Sequence, residues 1–314
     1  MSRETSIRIG YGLAVAALML APHLFYPVLV MKVLCFALFA CAFNLLLGYA
    51  GLLSFGHAAF FGTAAYVAGH ALKVWQVPAP VGLLLGTLAA AALGWLFGSL
   101  AIRRQGIYFA MITLALAQMV YFICIQLPYT GGEDGLQGVP RGTLFGLVDL
   151  ADDSKLYYFV AALCAFGFWT IQRTIHSPFG QVLKAIRENE PRAISLGYDV
   201  ARYKLVAFVL SAALAGLAGA TKTLVFTFAS LSDAEWHMSG EVVLMTLLGG
   251  LGTVFGPVVG AGIIVTLQDA LADKVGSLVS VIMGCIFVVC VLAFRRGIVG
   301  ELQALYRRAT GRRH

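Results

Sequence analysis

Charged side chains are scarce in this sequence: only 12% of its 314 residues are Asp, Glu, Lys or Arg. A soluble domain carries about 25% charged residues, so this scarcity argues against an ordinary soluble protein. Hydrophobic residues make up 60% of the chain, and its mean hydropathy is +0.86. Apolar helices of about 20 residues are long enough to cross a bilayer. The composition therefore predicts an all-α polytopic membrane protein, with one transmembrane domain over residues 1–314.

Motifs for nucleotide binding and catalysis are also missing. The stretch nearest to a phosphate-binding loop, residues 216–223 (GLAGATKT), has the wrong spacing and lies in an apolar run. Residues 250–256 (GLGTVFG) miss the dinucleotide fingerprint by one residue and lack a βαβ context. There is no H-E-x-x-H, no G-x-S-x-G and no conspicuous pair of carboxylates. We therefore expect no catalytic residue, no metal site and no cofactor in this chain.

Cysteine pairs with metal-ligand spacing are absent. The chain has 6 cysteines, all in apolar runs and none in a C-x-x-C pair: Cys35, Cys41, Cys124, Cys164, Cys285 and Cys290. Because free cysteine behaves as a small hydrophobic residue, we expect these side chains to be buried. A metal site or a disulfide framework is the less favoured reading.

Apolar runs of helical length fill most of the chain. Eight candidate spans cover residues 9–22, 27–47, 52–72, 81–102, 106–127, 156–175, 205–226 and 278–294. The first resembles a signal peptide, but further spans follow it directly, so we interpret it as an uncleaved helix. A ninth run, residues 241–267, contains Gly249, Gly250, Gly252, Gly256 and Pro257, which break a helix in the middle.

The distribution of Lys and Arg predicts the orientation in the membrane. Cytoplasmic loops are rich in basic residues, which places residues 103–104, the loop 176–204 and the basic tail 295–314 inside. Arg3 and Arg8 place the N-terminus inside as well. Two cytoplasmic termini require an even number of crossings. We therefore count residues 241–267 as a broken pair and expect about ten transmembrane segments.

The loop 176–204 predicts a compact structure, which we call the knob. Ser177 and Pro178 are typical of a helix start, and Phe179, Leu183 and Ile186 form one apolar stripe after them. A second short helix then begins at Asn189 and ends near Gly197. This segment places apolar Ile194 and Leu196 opposite Arg192. Two short helices facing the cytoplasm favour a docking site for a soluble partner over a solvated loop.

Polar residues are few inside the predicted spans, and each is a candidate for a functional site. They are Asn44, Ser54, His57, Thr113, Gln118, Lys222 and Glu241. We expect Lys222 and Glu241 to lie near helix ends and to extend their charged groups toward water.

Glycines around Asn44, Ser54 and His57 are echoed near residue 250, as in transporters with two repeated halves. The candidates for a translocation path are thus Asn44, Gly48, Gly51, Ser54, His57, Gly249, Gly252 and Gly256. Close helix packing alone is the alternative role for the glycines.

Four long stretches carry a resemblance to one protein family. They are NLLLGYAGLLSFGHAAFFGTAAYVAG (44–69), TGGEDGL (130–136), SPFGQVLKAIRENEPRAISLGYDVARYKLVAFVLSAALAGLAG (177–219) and LLGGLGTVFGPVVGA (247–261). In these stretches the chain resembles the LivM-type membrane permease subunits of branched-chain amino acid ABC importers. The resemblance covers most of the chain and is more specific for the family than for the substrate.

The resemblance implies a division of labour in the bacterial inner membrane. It implies a periplasmic binding protein that delivers substrate, a second permease subunit of the LivH type and two cytoplasmic ATPase subunits that use ATP. Besides these proteins, the partner it implies is the lipid bilayer, and it implies no nucleic-acid partner. It also assigns coupling to the ATPase to the loop 176–204, through Asn189, Glu190, Pro191, Arg192, Ala193 and Gly197. The wider permease pattern has Glu-Ala-Ala where this chain has Glu190-Pro191-Arg192-Ala193, so individual contacts stay open.

Three alternatives remain at this point. The same architecture would serve an importer of urea, amides, other amino acids or aromatic acids. A stand-alone secondary carrier or channel would predict ion-coupling carboxylates at mid-membrane, and the sequence has few of them. A membrane enzyme would need a cluster of His, Asp and Glu residues, and no such cluster stands out.

Overall fold

A computed structural model of the chain describes residue 22, residues 26–144, residue 146, residues 148–293 and residues 297–301. The predicted first span and the basic tail therefore fall outside the described residues, except at residues 22 and 297–301. The described residues are mostly helical. The helices are α1 (Pro27–Asn44), α2 (His57–Lys73), α3 (Ala79–Ala101), α4 (Ile107–Gln126), α5 (Asp153–His176), α6 (Pro178–Glu188), α7 (Glu190–Ser195), α8 (Val200–Phe226), α9 (Trp236–Gly249), α10 (Gly256–Val275) and α11 (Val279–Ala293).

Five of the described helices are long and apolar enough to cross a membrane. They are α3, α4, α5, α8 and the segment Pro27–Ala50, in which α1 continues into a π-helical turn, Leu45–Ala50. The protein is thus an all-α, multi-pass membrane protein, as the sequence predicts. The total of ten crossings stays a prediction.

The predicted break within residues 241–267 is confirmed. α9 ends at Gly249 and α10 begins at Gly256. Between them Gly250 has φ 123° and Gly252 has φ 70°, values that favour glycine. α9 and α10 pack against each other, so the segment is two helices joined at the glycines.

Small residues hold the centre of the bundle together, because α8 packs closely against α3. A Cβ atom at Gly94 would collide with Ala212, and one at Gly216 would collide with Ala90. The small residues Ala212, Gly216 and Ala220, spaced four apart, therefore face α3. Such close approach of backbones is the usual way in which helices associate in lipid. α8 also packs against α1 and α2, which makes it the central helix of the described bundle.

Short strands cover one end of the bundle. β1 (Leu136–Gln137) pairs antiparallel with β4 (Phe228–Ala229), and β2 (Thr143–Leu144) pairs with β3 (Val148–Asp149). The first pair joins the loop after α4 to the end of α8. α5 runs from this loop to the knob over 24 residues. At 1.5 Å per residue, the loop and the knob therefore lie about 36 Å apart.

The expectation for Lys222 is wrong. Its side chain does not extend to water: it is buried, and its Nζ donates hydrogen bonds to both carboxylate oxygens of Asp233, at 2.8 and 2.7 Å. The chain folds back after β4 through a 3₁₀ turn, Leu231–Ala234, which brings Asp233 to the last turns of α8. A position near a helix end therefore does not guarantee access to water.

Candidate functional site

The two glycine-broken segments lie against each other. The side-chain amide of Asn44 donates a hydrogen bond to the carbonyl of Thr253 at 2.9 Å and accepts one from the N–H of Gly252 at 3.0 Å. The hydroxyl of Tyr49 donates to the Gly252 carbonyl at 3.0 Å. A Cβ atom at Gly48 would lie 2.8 Å from the Gly252 nitrogen. We call this pair of segments, residues 44–52 and 249–256, the glycine junction.

Close packing explains several glycines of the junction. A Cβ atom at Gly249 would collide with the Gly256 carbonyl, and one at Gly256 would meet the Gly250 carbonyl at 2.7 Å. Gly51 ends the π-helical turn with φ 74°. Gly249 and Gly256 thus allow the turn between α9 and α10 to close tightly, whereas the contact of Gly48 with Gly252 lets the two segments approach each other.

The predicted candidates Ser54 and His57 lie at the start of α2, which begins five residues later than the predicted span 52–72. The chain is not helical there because side chains take up the backbone N–H groups: Ser54 Oγ accepts from Gly56 at 3.1 Å, and Thr113 Oγ1 accepts from Phe55 at 3.1 Å. A helix start inside a membrane protein needs such partners for its free N–H groups.

His57 connects three helices. Its Nε2 lies 2.9 Å from Ser211 Oγ, and the Ser211 hydroxyl donates to the Ala42 carbonyl at 2.6 Å. The hydroxyl proton is thus in use, which makes His57 Nε2 the donor to Ser211. The imidazole also makes edge contacts with Phe43, Phe60 and Phe208. Both His57 and Ser54 are fully buried; His57 joins α1, α2 and α8 through Ser211, whereas Ser54 bonds locally to Gly56.

The knob has the predicted two-helix form. Ser177 Oγ accepts a hydrogen bond from the N–H of Gly180 at 3.3 Å, and Asn189 Oδ1 accepts one from Arg192 at 3.1 Å, so both residues cap helices. Leu183 and Ile186 are buried. α7 is followed by Gly197 with φ 87°, the left-handed conformation predicted for a helix end.

The outer surface of the knob combines apolar and basic side chains. Ile194 is 58% exposed and Leu196 is 70% exposed, and Pro191 and Arg192 are exposed beside them. Ala193 is only 3% exposed, which corrects the expectation that it faces a partner. Its small side chain lies on the buried side of α7, in a cluster with Ile186 and Val200.

Glu190 ties the knob to its neighbours instead of projecting freely. Its carboxylate lies 2.7 Å from the ammonium of Lys204 on α8 and accepts a hydrogen bond from Gln105 at 2.9 Å. Lys204 is buried, so this ion pair holds α7 on the first turns of α8. Glu190 therefore fixes the orientation of the exposed surface formed by Arg192, Ile194 and Leu196.

The knob and the glycine junction touch through α6. The guanidinium of Arg187 donates a hydrogen bond to the carbonyl of Gly48. Lys184, one turn earlier, places its ammonium 5.6 Å from the centre of the Tyr49 ring. Arg187, Lys184 and Tyr49 are not among the candidates predicted from the sequence. The available signal was the spacing of three residues between Lys184 and Arg187, which puts both on one face of α6.

Cysteines and potential metal ligands form no site among the described residues. Cys35, Cys41, Cys124 and Cys164 are free and buried, as expected. Cys285 is exposed, contrary to expectation, because α11 packs mainly against α9 and α10 and leaves another face uncovered. The described residues contain no group of three or more His, Cys, Asp and Glu side chains that could hold a metal ion.

Comparison with known proteins identifies the family. Residues 28–291 match the family described as the permease component of branched-chain amino acid transport systems. No solved structure matches the chain. The family match covers α1 through most of α11, and therefore includes the glycine junction and the knob.

Individual relatives agree with this match. The high-affinity branched-chain amino acid transport system permease proteins LivM of Salmonella typhimurium strain LT2 and Escherichia coli strain K12 are each 30% identical over 258 residues. The match covers 73% of this chain and 60% of each relative's length. The autoinducer 2 import system permease protein LsrC of Klebsiella pneumoniae is 29% identical over 194 residues, covering 58% of this chain and 53% of the relative. This chain belongs to the family of permease components of branched-chain amino acid transport systems.

Proposed function

We propose that this chain is a permease subunit of a bacterial ABC importer. With a second permease subunit of the LivH type, it forms an inner-membrane path for branched-chain amino acids that a periplasmic binding protein delivers. Two separate cytoplasmic ATPase subunits hydrolyse ATP, and the chain itself is not an enzyme. The family match and the absence of a nucleotide-binding motif in the sequence support this division of labour.

The observation that carries the proposal is the surface of the knob. Ile194 and Leu196 are exposed on a scaffold that is held by buried Leu183, Ile186 and the Glu190–Lys204 pair. Large apolar side chains exposed beside a basic residue are typical of a protein interface. With the knob on the cytoplasmic side, as its basic residues favour, this surface docks the ATPase. Both termini then lie in the cytoplasm as well.

The glycine junction is the proposed moving part of the path. Asn44, Gly48, Gly51, Gly249, Gly252 and Gly256 belong to it, and Ser54 and His57 lie directly after it. The hydrogen bonds between its segments come from two side chains, Asn44 and Tyr49, so a change in their spacing requires few contacts to rearrange. Broken helices whose backbone lines a cavity are a recurrent feature of transporters.

Branched-chain amino acids are the favoured substrates because the two LivM relatives carry that name. A second candidate is a different small solute, since other relatives are named as autoinducer 2 and ribose import permeases. The two candidates share the architecture and the coupling surface. They differ only in what the path and the binding protein accept.

Reconstitution tests the proposal. The chain is co-expressed with a LivH-type permease and ATPases of the same organism, and the complex is placed in proteoliposomes with the binding protein. We expect ATP-dependent uptake of labelled leucine, isoleucine and valine, with ribose and urea as competitors that have no effect. Uptake of ribose or urea instead would support the second candidate, and uptake without ATPases would contradict an ABC importer.

A pair of variants isolates the docking surface. Leu196→Glu places a charge on the exposed apolar surface of the knob and should release the ATPases from the complex. Val74→Glu is the matched control. Val74 is also exposed, but it follows the C-terminal end of α2, whereas the glycine junction precedes the N-terminal end of that helix. Equal recovery of the ATPases with both variants would show that the knob is not the docking site.

A further inference from the structure

Arg187 contacts the first segment of the glycine junction and lies beside the second with the same side chain. Its guanidinium donates to the Gly48 carbonyl. Its Cγ lies 3.0 Å from the position that a Cβ atom would take at Gly51, and its Nη1 lies 3.5 Å from the corresponding position at Gly252. A larger residue at Gly51 would press on the arginine stem. The junction is therefore shaped around Arg187.

The π-helical turn leaves the Gly48 carbonyl available for this contact. In a continued α-helix the N–H of Leu52 would donate to that carbonyl. Here the Leu52 N–H donates to the Leu46 carbonyl at 3.3 Å instead. A buried carbonyl without a backbone donor needs another partner, and a guanidinium supplies a charge-assisted one.

α6 connects this contact to the rest of the knob. On one face of the helix, Leu183 and Ile186 are buried, and on the neighbouring face Lys184 and Arg187 reach the junction. α7 follows after Asn189 and is held to α8 through Glu190. A displacement of α7 by a bound partner therefore acts on α6 and reaches the junction at Arg187.

We propose that Arg187 is the positioning residue that couples movement of the knob to the spacing of the glycine junction. The proposal rests on the proposed function, in which the knob docks an ATPase. It adds that the contact of Arg187 with Gly48 transmits the movement. Gly51 and Gly252, with φ 74° and 70°, flank the contact and permit the backbone to adjust.

Arg187→Met tests the proposal in the reconstituted complex of this chain, the second permease, the ATPases and the binding protein. Methionine keeps an apolar stem against Gly51 and removes the hydrogen bond to Gly48. We expect normal recovery of the ATPases and unchanged basal ATP hydrolysis, while uptake per ATP hydrolysed falls about tenfold, in line with the loss of one charge-assisted hydrogen bond. Arg187→Lys keeps a hydrogen-bond donor, and its uptake per ATP hydrolysed should lie between the values of the wild type and Arg187→Met.

Arg202→Met is the matched control, because Arg202 is an exposed arginine at the start of α8 whose side chain makes no hydrogen bond or ion pair among the described residues. It should leave uptake per ATP unchanged. Wild-type coupling in Arg187→Met would overturn the proposal, and so would a parallel loss of thermal stability, ATPase binding and uptake, which indicates a purely structural contact. If the unaltered complex shows no ATP-dependent uptake, the proposed function fails instead.

Discussion

The amide of Asn44 joins Gly252 across 208 residues of sequence, accepting a hydrogen bond from its N–H at 3.0 Å. The same amide donates to Thr253. One side chain thus satisfies two backbone groups that the break between α9 and α10 leaves without helical partners. Both backbone groups are half-buried, and the second half of the chain depends on the first for these two hydrogen bonds.

Replacement of Asn44 by leucine should therefore destabilise the protein strongly. The change leaves the half-buried Gly252 N–H and Thr253 carbonyl without this partner, at a cost of up to about 3 kcal/mol for each group. The melting temperature of the purified protein in detergent measures the effect. Gln118→Leu is the control, since Gln118 Oε1 has no hydrogen-bond partner among the described residues, and it should melt near or above the wild type. Equal melting temperatures would show that the Asn44 bonds contribute nothing to stability.

Gly252→Leu should abolish uptake. At φ 70° a side chain costs about 1–2 kcal/mol in backbone strain, and a Cβ atom there would lie 3.4 Å from the Gly48 carbonyl and 3.5 Å from Arg187. Leucine would therefore strain the Gly252 backbone, which carries the hydrogen bonds to Asn44 and Tyr49, and weaken assembly. Gly262→Leu is the matched control in α10, because a Cβ atom there meets only Val33, at 3.9 Å. Uptake measured in intact cells, normalised to membrane expression, should separate the two variants.

Composition and spacing were sufficient to predict the helices and the break at Gly249–Gly256. Predicted span 27–47 corresponds to α1 with its π-helical turn, and predicted span 205–226 corresponds to α8, which begins earlier at Val200. Apolar length and glycine spacing are local properties, which is why they are readable in the sequence. The start of α2 was predicted too early because it depends on Thr113, a residue of another helix.

The contacts within the site were not predictable in the same way. Arg187 and Gly48 are 139 residues apart, and nothing local to either one indicates the other. Ala193 was assigned to coupling by the family resemblance, but one side of so short a helix must cover Ile186 and Val200. Hydrogen bonds across the bundle depend on packing, which a single sequence does not specify.

The orientation of the chain in the membrane has a direct test. We expect a cysteine at Arg104 to be inaccessible to an impermeant thiol reagent in intact cells, and a cysteine at Glu133 to react, because basic loops are retained inside. The background must lack native cysteines, since Cys285 is exposed. Labelling at position 104 before permeabilisation would contradict the predicted orientation, while labelling there only afterwards would support it.

The turn of the knob at Gly197 has a pair of variants that act on the backbone alone. A Cβ atom at Gly197 would contact nothing within 4 Å, so a substitution there acts through its φ of 87°. Valine disfavours this conformation strongly, whereas asparagine tolerates it. Gly197→Val should reduce substrate-stimulated ATP hydrolysis in the reconstituted complex, and Gly197→Asn should retain most of it. Equal activity of the two variants would indicate that the turn has no part in coupling.

Lys222 and Asp233 provide the last test, because they form a buried ion pair within the described bundle. Lys222 is 7% exposed and Asp233 is 2% exposed. Removal of one partner leaves the other charge buried, and Lys222→Met should therefore cost about 3–5 kcal/mol of stability.

A double variant separates the pair from its surroundings. Asp233 also accepts a hydrogen bond from the Ser230 N–H at 3.1 Å, so Asp233→Asn keeps an acceptor there while removing the charge. Lys222→Met combined with Asp233→Asn should melt above Lys222→Met alone, because no unpaired charge remains. Lys155→Met breaks the exposed pair of Lys155 with Asp152, at 3.8 Å, and should change stability by at most about 1 kcal/mol. If Lys222→Met were as mild as Lys155→Met, Asp233 would have to be neutral or hydrated once the lysine is gone, and the ion pair would not stabilise this end of α8.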